Sequence, residues 1–202
     1  MRLVLQSTNP HDYLLPTPEV NFTHPSLIKK ADEIDANSTN KLHYAKESYE
    51  FVRDHIAHSW DIRSHRVTRT ASEVLEYREG ICYAKSNLLA ALLRVKGIPT
   101  GFCYQRLTLF DTPEDGYCIH ALNAVYIDSE NKWIRLDSRG NKQGVNAQFS
   151  LDEEKLAFPV RPHLDELDYP TIYMNPHEKT MNVLKEHSDG REMYMNGLPK
   201  NI

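Results

Sequence analysis

"REGICYAKSNLLAALLRVKGIPTGFCYQRL" runs from Arg78 to Leu107, and within it the periodicity of the chain changes. From Tyr83 to Val95 the apolar positions Ala84, Leu88, Leu92 and Val95 recur at helical spacing. Leu89, Ala91 and Leu93 widen that face until most of the circumference is apolar, which predicts a central helix rather than a peripheral one. Gly97 fits the left-handed position after the last turn, and Pro99 prevents continuation. Beyond it "TGFCYQRLTLF" (100–110) is dense in strand-forming residues. A cysteine, Cys82, stands where the helix opens. A helix start presents unpaired N–H groups and partial positive charge, which favour a thiolate and offer the Cys82 N–H to an oxyanion. Gly80 just before it allows a sharp turn and close approach of a substrate. The bland alternative is a small buried residue, since cysteine is among the most buried residue types.

Upstream, helices are expected over about Ser26–Ala36, with Ser26 as N-cap, and over about Lys41–Ile56. "AHSWDIRSHRVTRT" (57–70) reads as polar and irregular, or partly extended. "TASEVLEYREG" reads as a helix capped by Thr70 or Ser72 and ended by Gly80. Downstream, "YCIHALNAVYI" (117–127) and "KWIRLDS" (132–138) are strand candidates joined by the turn "DSEN". Residues 1–25 are broken by proline. In the tail, "LDEEKLAF" (151–158) and "HEKTMNVLKEHS" (177–188) suggest helices. Helices followed by an antiparallel meander define an α+β fold, not a parallel doubly wound sheet. The length suits a single domain, residues 1–202. Its core would be about 41–140, with extensions at 1–40 and 141–202 to which the sequence attaches no function.

The hairpin bears on chemistry. His120 lies inside the strand 117–127, and Asp137 ends "WIRLD". Alone, each has an ordinary reading, a satisfied core histidine and a strand-end aspartate. If Ile127 pairs with Lys132, Asp137 falls opposite Leu122 and diagonal to His120; if Ile127 pairs with Glu130, Asp137 falls opposite His120. In both registers the two side chains share a face, and a slip by one residue would separate them. The pair then forms an imidazole oriented by a carboxylate, free to act on a thiol.

Taken together, "ASEVLEYREGICYAKSNLLAALLRVKGIPTGFCYQRL", "YCIHALNAVYI" and "KWIRLDS" resemble the core of the transglutaminase-like superfamily. The likeness covers about Ser48 to Arg139. The resemblance implies a papain-like α+β core, with helices on an antiparallel sheet and the catalytic cysteine at the N-terminus of a central helix. It implies that Cys82, His120 and Asp137 form a Cys-His-Asp triad. Leu122 stands where members often carry tryptophan after the histidine, and Tyr83 follows the cysteine in place of the animal enzymes' tryptophan signature. Those departures turn the expectation from protein cross-linking towards hydrolysis. The expected activity is that of a cysteine hydrolase (peptidase or amidase) or an acyltransferase, acting on a peptide, protein or small amide substrate through a thioester. The competing class is a non-catalytic binding protein that keeps the fold.

Other features narrow the reading. With 24 Lys and Arg against 28 Asp and Glu, and no dominant basic block, nothing marks a nucleic-acid partner. No window reaches the roughly 18 apolar residues of a membrane span, and the opening residues do not read as a signal peptide. The cysteine count is odd at three, which leaves at least one free thiol and fits a cytoplasmic protein. Cys103, Cys118 and His120 match no usual zinc spacing, so no metal is expected, and no cofactor fingerprint is present. His55, His58 and His65 read as a solvated stretch. "LDELD" (164–168) is a surface loop or a lid. A second oxyanion donor is not evident: Glu76 has the wrong charge, and Trp60 and Gln105 are weak candidates.

Overall fold

The structure, a computed structural model, describes all residues 1–202. Fourteen elements follow one another: β1 (Val4–Leu5), α1 (Pro25–Asp35), α2 (Lys41–His55), β2 (Ala57–His58), α3 (Ala71–Tyr77), β3 (Glu79–Gly80), α4 (Cys82–Val95), β4 (Thr100–Thr108), β5 (Tyr117–Ile127), β6 (Lys132–Leu136), β7 (Leu167–Asp168), β8 (Thr171–Ile172), α5 (Glu178–Glu186) and α6 (Gly190–Glu192). The main sheet is antiparallel with strand order β6-β5-β4-β7. Two small parallel pairs, β1 with β8 and β2 with β3, tie the flanks to this frame. The fold is the expected α+β.

Helix α4 is the pillar. Every residue from Cys82 to Arg94 is buried, as its nearly all-round apolar sequence requires. Its core joins Tyr44, Tyr49 and Val52 of α2, Val74 of α3 and the Ile119, Ala121, Val125 face of β5. Burying that much apolar side chain is the main stabilising term, at about 1.5–3 kcal/mol for each large residue. Both ends of α4 are fixed. The Arg94 guanidinium donates to the carbonyls of Thr100 (2.7 Å) and Met174 (2.6 Å). At the other end the Tyr83 hydroxyl donates to the Ile119 carbonyl at 2.8 Å, tying the first turn of α4 to the residue before His120.

The hairpin takes the first of the two registers allowed by its turn, with Ile127 opposite Lys132 and Asn123 opposite Leu136. Gly97, at φ +67°, follows α4 in the left-handed conformation.

Four local expectations fail. Helix α3 stops at Tyr77 because Arg78, not Gly80, adopts the left-handed conformation at φ 58°. Thr70 and Glu73 form the capping box at its start. Gly80 lies in β3 with no positive φ; a Cβ there would come within 3.0 Å of Thr68 Oγ1 and 3.1 Å of Ala84 Cβ. Glycine is therefore needed for close packing rather than for a turn. The N-cap of α1 is His24, since Pro25 already occupies the first turn. The helix expected over 151–158 does not form: the Ala157 N–H is donated to the Asp137 carboxylate, and Pro159 follows at once.

Candidate active site

Cys82 is the first residue of α4, and no side chain caps that end, so its first-turn N–H groups stay open. β2 runs beside β3 with His58 level with Gly80, two residues ahead of Cys82. Cys82, His120 and His58 line one cavity of about 370 Å³, with Trp60, Phe110 and Tyr194 on its walls.

His120 Nε2 lies 2.7 Å from Asp137 Oδ2. Asp137 is fully buried, and two backbone donors hold its carboxylate as well: Ala157 N on Oδ2 at 3.0 Å and Arg139 N on Oδ1 at 3.1 Å. The carboxylate is thus fixed before the imidazole meets it. Nδ1 is the ring nitrogen that remains free, and Cys82, which lines the same cavity, acts on the charge of the ring. Burial opposes a charge on His120, but Asp137, and after it Cys82, outweigh that effect and raise its proton affinity. For Asp137, burial raises the carboxyl pKa, but His120 and the two backbone donors hold it below the ordinary value. The Phe158 ring stands edge-on to the imidazole, 5.3 Å between centroids, and screens it from water. This arrangement can support a thiolate–imidazolium pair at the positive end of a helix.

The structure brings Cys82, His120 and Asp137 together. The remaining candidates separate. Cys103 is buried with Tyr13, Leu122 and Ile172 away from the cavity, and burial pushes its thiol up to about 12. Cys118 lines the cavity, and burial pushes it too up to about 12. Glu76 is exposed on α3. Gln105 is buried opposite His120 in the sheet but does not line the cavity. Trp60 forms part of its wall. "LDELD" is no free loop: Leu167 and Asp168 pair with β4, and buried Glu166 accepts from Thr108 N (3.0 Å) and Arg161 N (2.7 Å).

The histidine reading needs correction. His55 and His65 are exposed, but His58 is buried. Its Nδ1 has no hydrogen-bond partner. Burial, with the positive field of Arg139 after it, pushes its proton affinity well below the ordinary value, so the ring is neutral. "AHSWD" is polar by composition; only the bridge to β3 turns His58 inward.

The tail supplies what the sequence left unassigned. Ala157, Phe158, Tyr194 and Leu198 all line the cavity. The alternation of aromatic and methionine in "MYM" (193–195) was the one local signal of a packed segment there. Arg139 and Lys142 share Asp61 (2.8 and 2.9 Å), which keeps that carboxyl low against its burial.

A thiol at the start of a buried helix, an imidazole on a neighbouring strand and a carboxylate just past the strand paired with it define a papain-like class of core. The sequence model of the transglutaminase-like superfamily matches residues 28–138, more than half of the chain, and the chain belongs to that superfamily. Among solved structures, a protein of Cytophaga hutchinsonii provisionally assigned as a cysteine protease superposes with a TM-score of 0.53 at 19% identity, over 66% of this chain and 43% of its own. The periplasmic domain of TgpA from Pseudomonas aeruginosa gives 0.46 at 20% identity, over 65% of this chain and 48% of its own. The chain therefore spans less than half the length of either structure. The likeness to the Cytophaga hutchinsonii protein concerns the fold alone. No curated protein matches the chain in sequence. No helix is long and apolar enough to cross a membrane.

Proposed function

We propose that the chain is a cysteine-dependent acyl-transfer enzyme acting on an amide or peptide, with Cys82 as nucleophile, His120 as general acid and base, and Asp137 as its positioning group. The observation that carries this is the Nε2–Oδ2 contact of 2.7 Å, which leaves Nδ1 for the thiol of Cys82. The Cys82 sulfur attacks the acyl carbonyl and an S–C bond forms as the carbonyl π pair moves to oxygen. Collapse of that oxyanion expels the amine, which takes the proton held by His120. Water then attacks the thioester, giving its proton to His120, and the thiolate leaves with the S–C bond pair. We favour water over an amine acceptor because Leu122 and Tyr83 depart from the tryptophan-bearing pattern of the cross-linking members. The Cys82 N–H supplies one oxyanion donor. The second we assign to His58, a neutral ring in the same cavity with an unpaired Nδ1, since a neutral imidazole N–H stabilises an oxyanion by hydrogen bonding without transferring its proton. Three free thiols favour a reducing compartment such as the cytoplasm.

The test is iodoacetamide labelling followed by peptide mass spectrometry at pH 7. Cys82 should label well before Cys103 and Cys118. Mass spectrometry should then trap an acyl-enzyme from a library of small amides and esters, with Cys82→Ala as the blank. Slow, equal labelling of all three cysteines would overturn the nucleophile, and with it the enzyme; the fold would then serve binding.

A further inference from the structure

The cavity around Cys82 has one wall that the proposed chemistry does not use. Trp60 and Tyr194 stack at 4.2 Å with their planes 11° apart. Phe110 leans on both, 5.7 Å from the Trp60 ring and 6.4 Å from that of Tyr194. The three rings come from distant parts of the chain, so the wall is a product of tertiary structure. Leu109 and Leu198 extend it. Trp60 and Tyr194 are partly covered, but Phe110 is 45% exposed at the rim. An exposed apolar surface continuous with a cavity is a mark of ligand contact.

The backbone holds Phe110 there under strain. Phe110 and Asp111 are successive non-glycine residues with φ of 52° and 66°. Each such conformation is disfavoured by roughly 1–2 kcal/mol and persists only where the surroundings over-determine it. Arg161 provides that restraint, donating to Asp111 Oδ1 at 3.0 Å, Thr108 Oγ1 at 2.8 Å and Glu166 Oε1 at 2.7 Å. The Thr108 N–H donates to the same Glu166 oxygen at 3.0 Å. The anchored segment turns the Phe110 ring onto the Trp60–Tyr194 pair rather than letting β4 run on through it. Relaxing the strain would move that ring.

We infer that this aromatic wall is a specificity subsite, and that the acyl donor carries an aromatic or branched apolar side chain which packs on Phe110, Trp60 and Tyr194 while its carbonyl meets Cys82. The inference rests on the acyl-transfer reading above. Acetyl-Xaa-Ala and acetyl-Ala-Xaa chloromethyl ketones, with Xaa as Phe, Leu, Ala, Asp or Lys, test it directly. The rate of alkylation at Cys82 is read by peptide mass and divided by the iodoacetamide rate, since iodoacetamide has no side chain to recognise. In the native chain the Phe and Leu reagents of one series should outpace the Ala, Asp and Lys reagents by about tenfold or more. In Phe110→Ala, and independently in Tyr194→Leu, that preference should fall to about threefold or less. A native chain that alkylates with all five reagents of both series at equal normalised rates overturns the subsite. So does a preference that survives in both variants. In either case iodoacetamide would still single out Cys82, and the catalytic reading would stand. Failure of iodoacetamide to single out Cys82 would remove that reading and the inference together.

Discussion

Asp137→Asn separates the charge of the carboxylate from its shape. Asp137 Oδ2 accepts from both His120 Nε2 and Ala157 N, while Oδ1 accepts from Arg139 N alone. An asparagine satisfies two of these three donors if its oxygen takes the Oδ2 position. Its amide group then faces the Arg139 N–H, which loses its acceptor, a loss of about 1–3 kcal/mol. The ring orientation survives, but the negative charge does not. His120, held up to about 10 chiefly by Asp137 against burial, should drop towards or below the ordinary 6.5. Each tenfold change in proton affinity corresponds to about 1.4 kcal/mol, so the thiolate–imidazolium pair loses on the order of 3–5 kcal/mol. The assay is the pH dependence of iodoacetamide alkylation at Cys82. In the native chain the reaction should persist down to about pH 6, where the imidazolium supports the thiolate. In Asp137→Asn it should be slower there by about 10²–10³-fold, and the two curves should converge at high pH, where the thiolate forms without help. A variant that folds and overlays the native curve at pH 6 refutes the ion-pair argument.

Three further outcomes follow from the same geometry. Lys85, one turn beyond Cys82, is fully buried, and burial, with Arg139 after it, lowers its pKa from 10.5 to about 7. Between those values the unfolded chain binds the extra proton, so the penalty is fully present below pH 7 and vanishes above 10.5. Lys85→Met removes that penalty but also the donor to the Ile56 carbonyl, so its effect on stability should be more favourable at pH 6 than at pH 10 by about 4 kcal/mol, in urea unfolding. Gly80→Ala would force a Cβ against Thr68 and Ala84; destabilisation by about 1–3 kcal/mol and slower labelling of Cys82 are expected, measured on the same samples. His58→Phe should weaken binding of a small aldehyde as a hemithioacetal by about 10²-fold while His58→Gln retains most of it; equal affinities in both would remove His58 from the oxyanion site.

The central helix was legible in the sequence because its apolar positions leave no polar face to expose. The hairpin was legible for a different reason. A side-chain period of two allows only registers that keep His120 and Asp137 together or part them, and the turn admitted the former. What the sequence did not disclose were contacts made by short or irregular segments. His58 belongs to a two-residue strand, too short to show a periodicity that points inward. The stretch 151–158 suggested a helix, yet two of its residues are held by distant partners: Ala157 by Asp137 and Phe158 by the His120 ring. Arg78, not nearby Gly80, took the left-handed position, and Gly80 serves instead the close approach of Thr68 and Ala84.

The division between the matched core and the tail has a physical consequence for specificity. The superfamily match ends at residue 138, just past Asp137, so it includes the sulfur, the imidazole and the carboxylate. These groups are fixed by a buried helix and a paired hairpin, which tolerate little change. The walls a substrate would touch come from both sides of that boundary: Trp60 and Phe110 lie within the match, Phe158, Tyr194 and Leu198 beyond it. Phe158 screens His120, Tyr194 stacks on Trp60, and Arg161 restrains the Phe110 turn. Pro199 even supplies a carbonyl, at 2.9 Å, to the Ile119 N–H beyond the end of the β6 pairing. Irregular segments of this kind can be exchanged without disturbing the ladder or the helix that hold the reacting atoms. A change in the tail then alters one side of the cavity, with the reacting groups left in place. The tail is not independent of that chemistry, however, because Ala157 also holds Asp137. Substitutions at Tyr194 should therefore alter selectivity among substrates, whereas a proline at Ala157, which removes the N–H, should weaken every reaction at Cys82 alike.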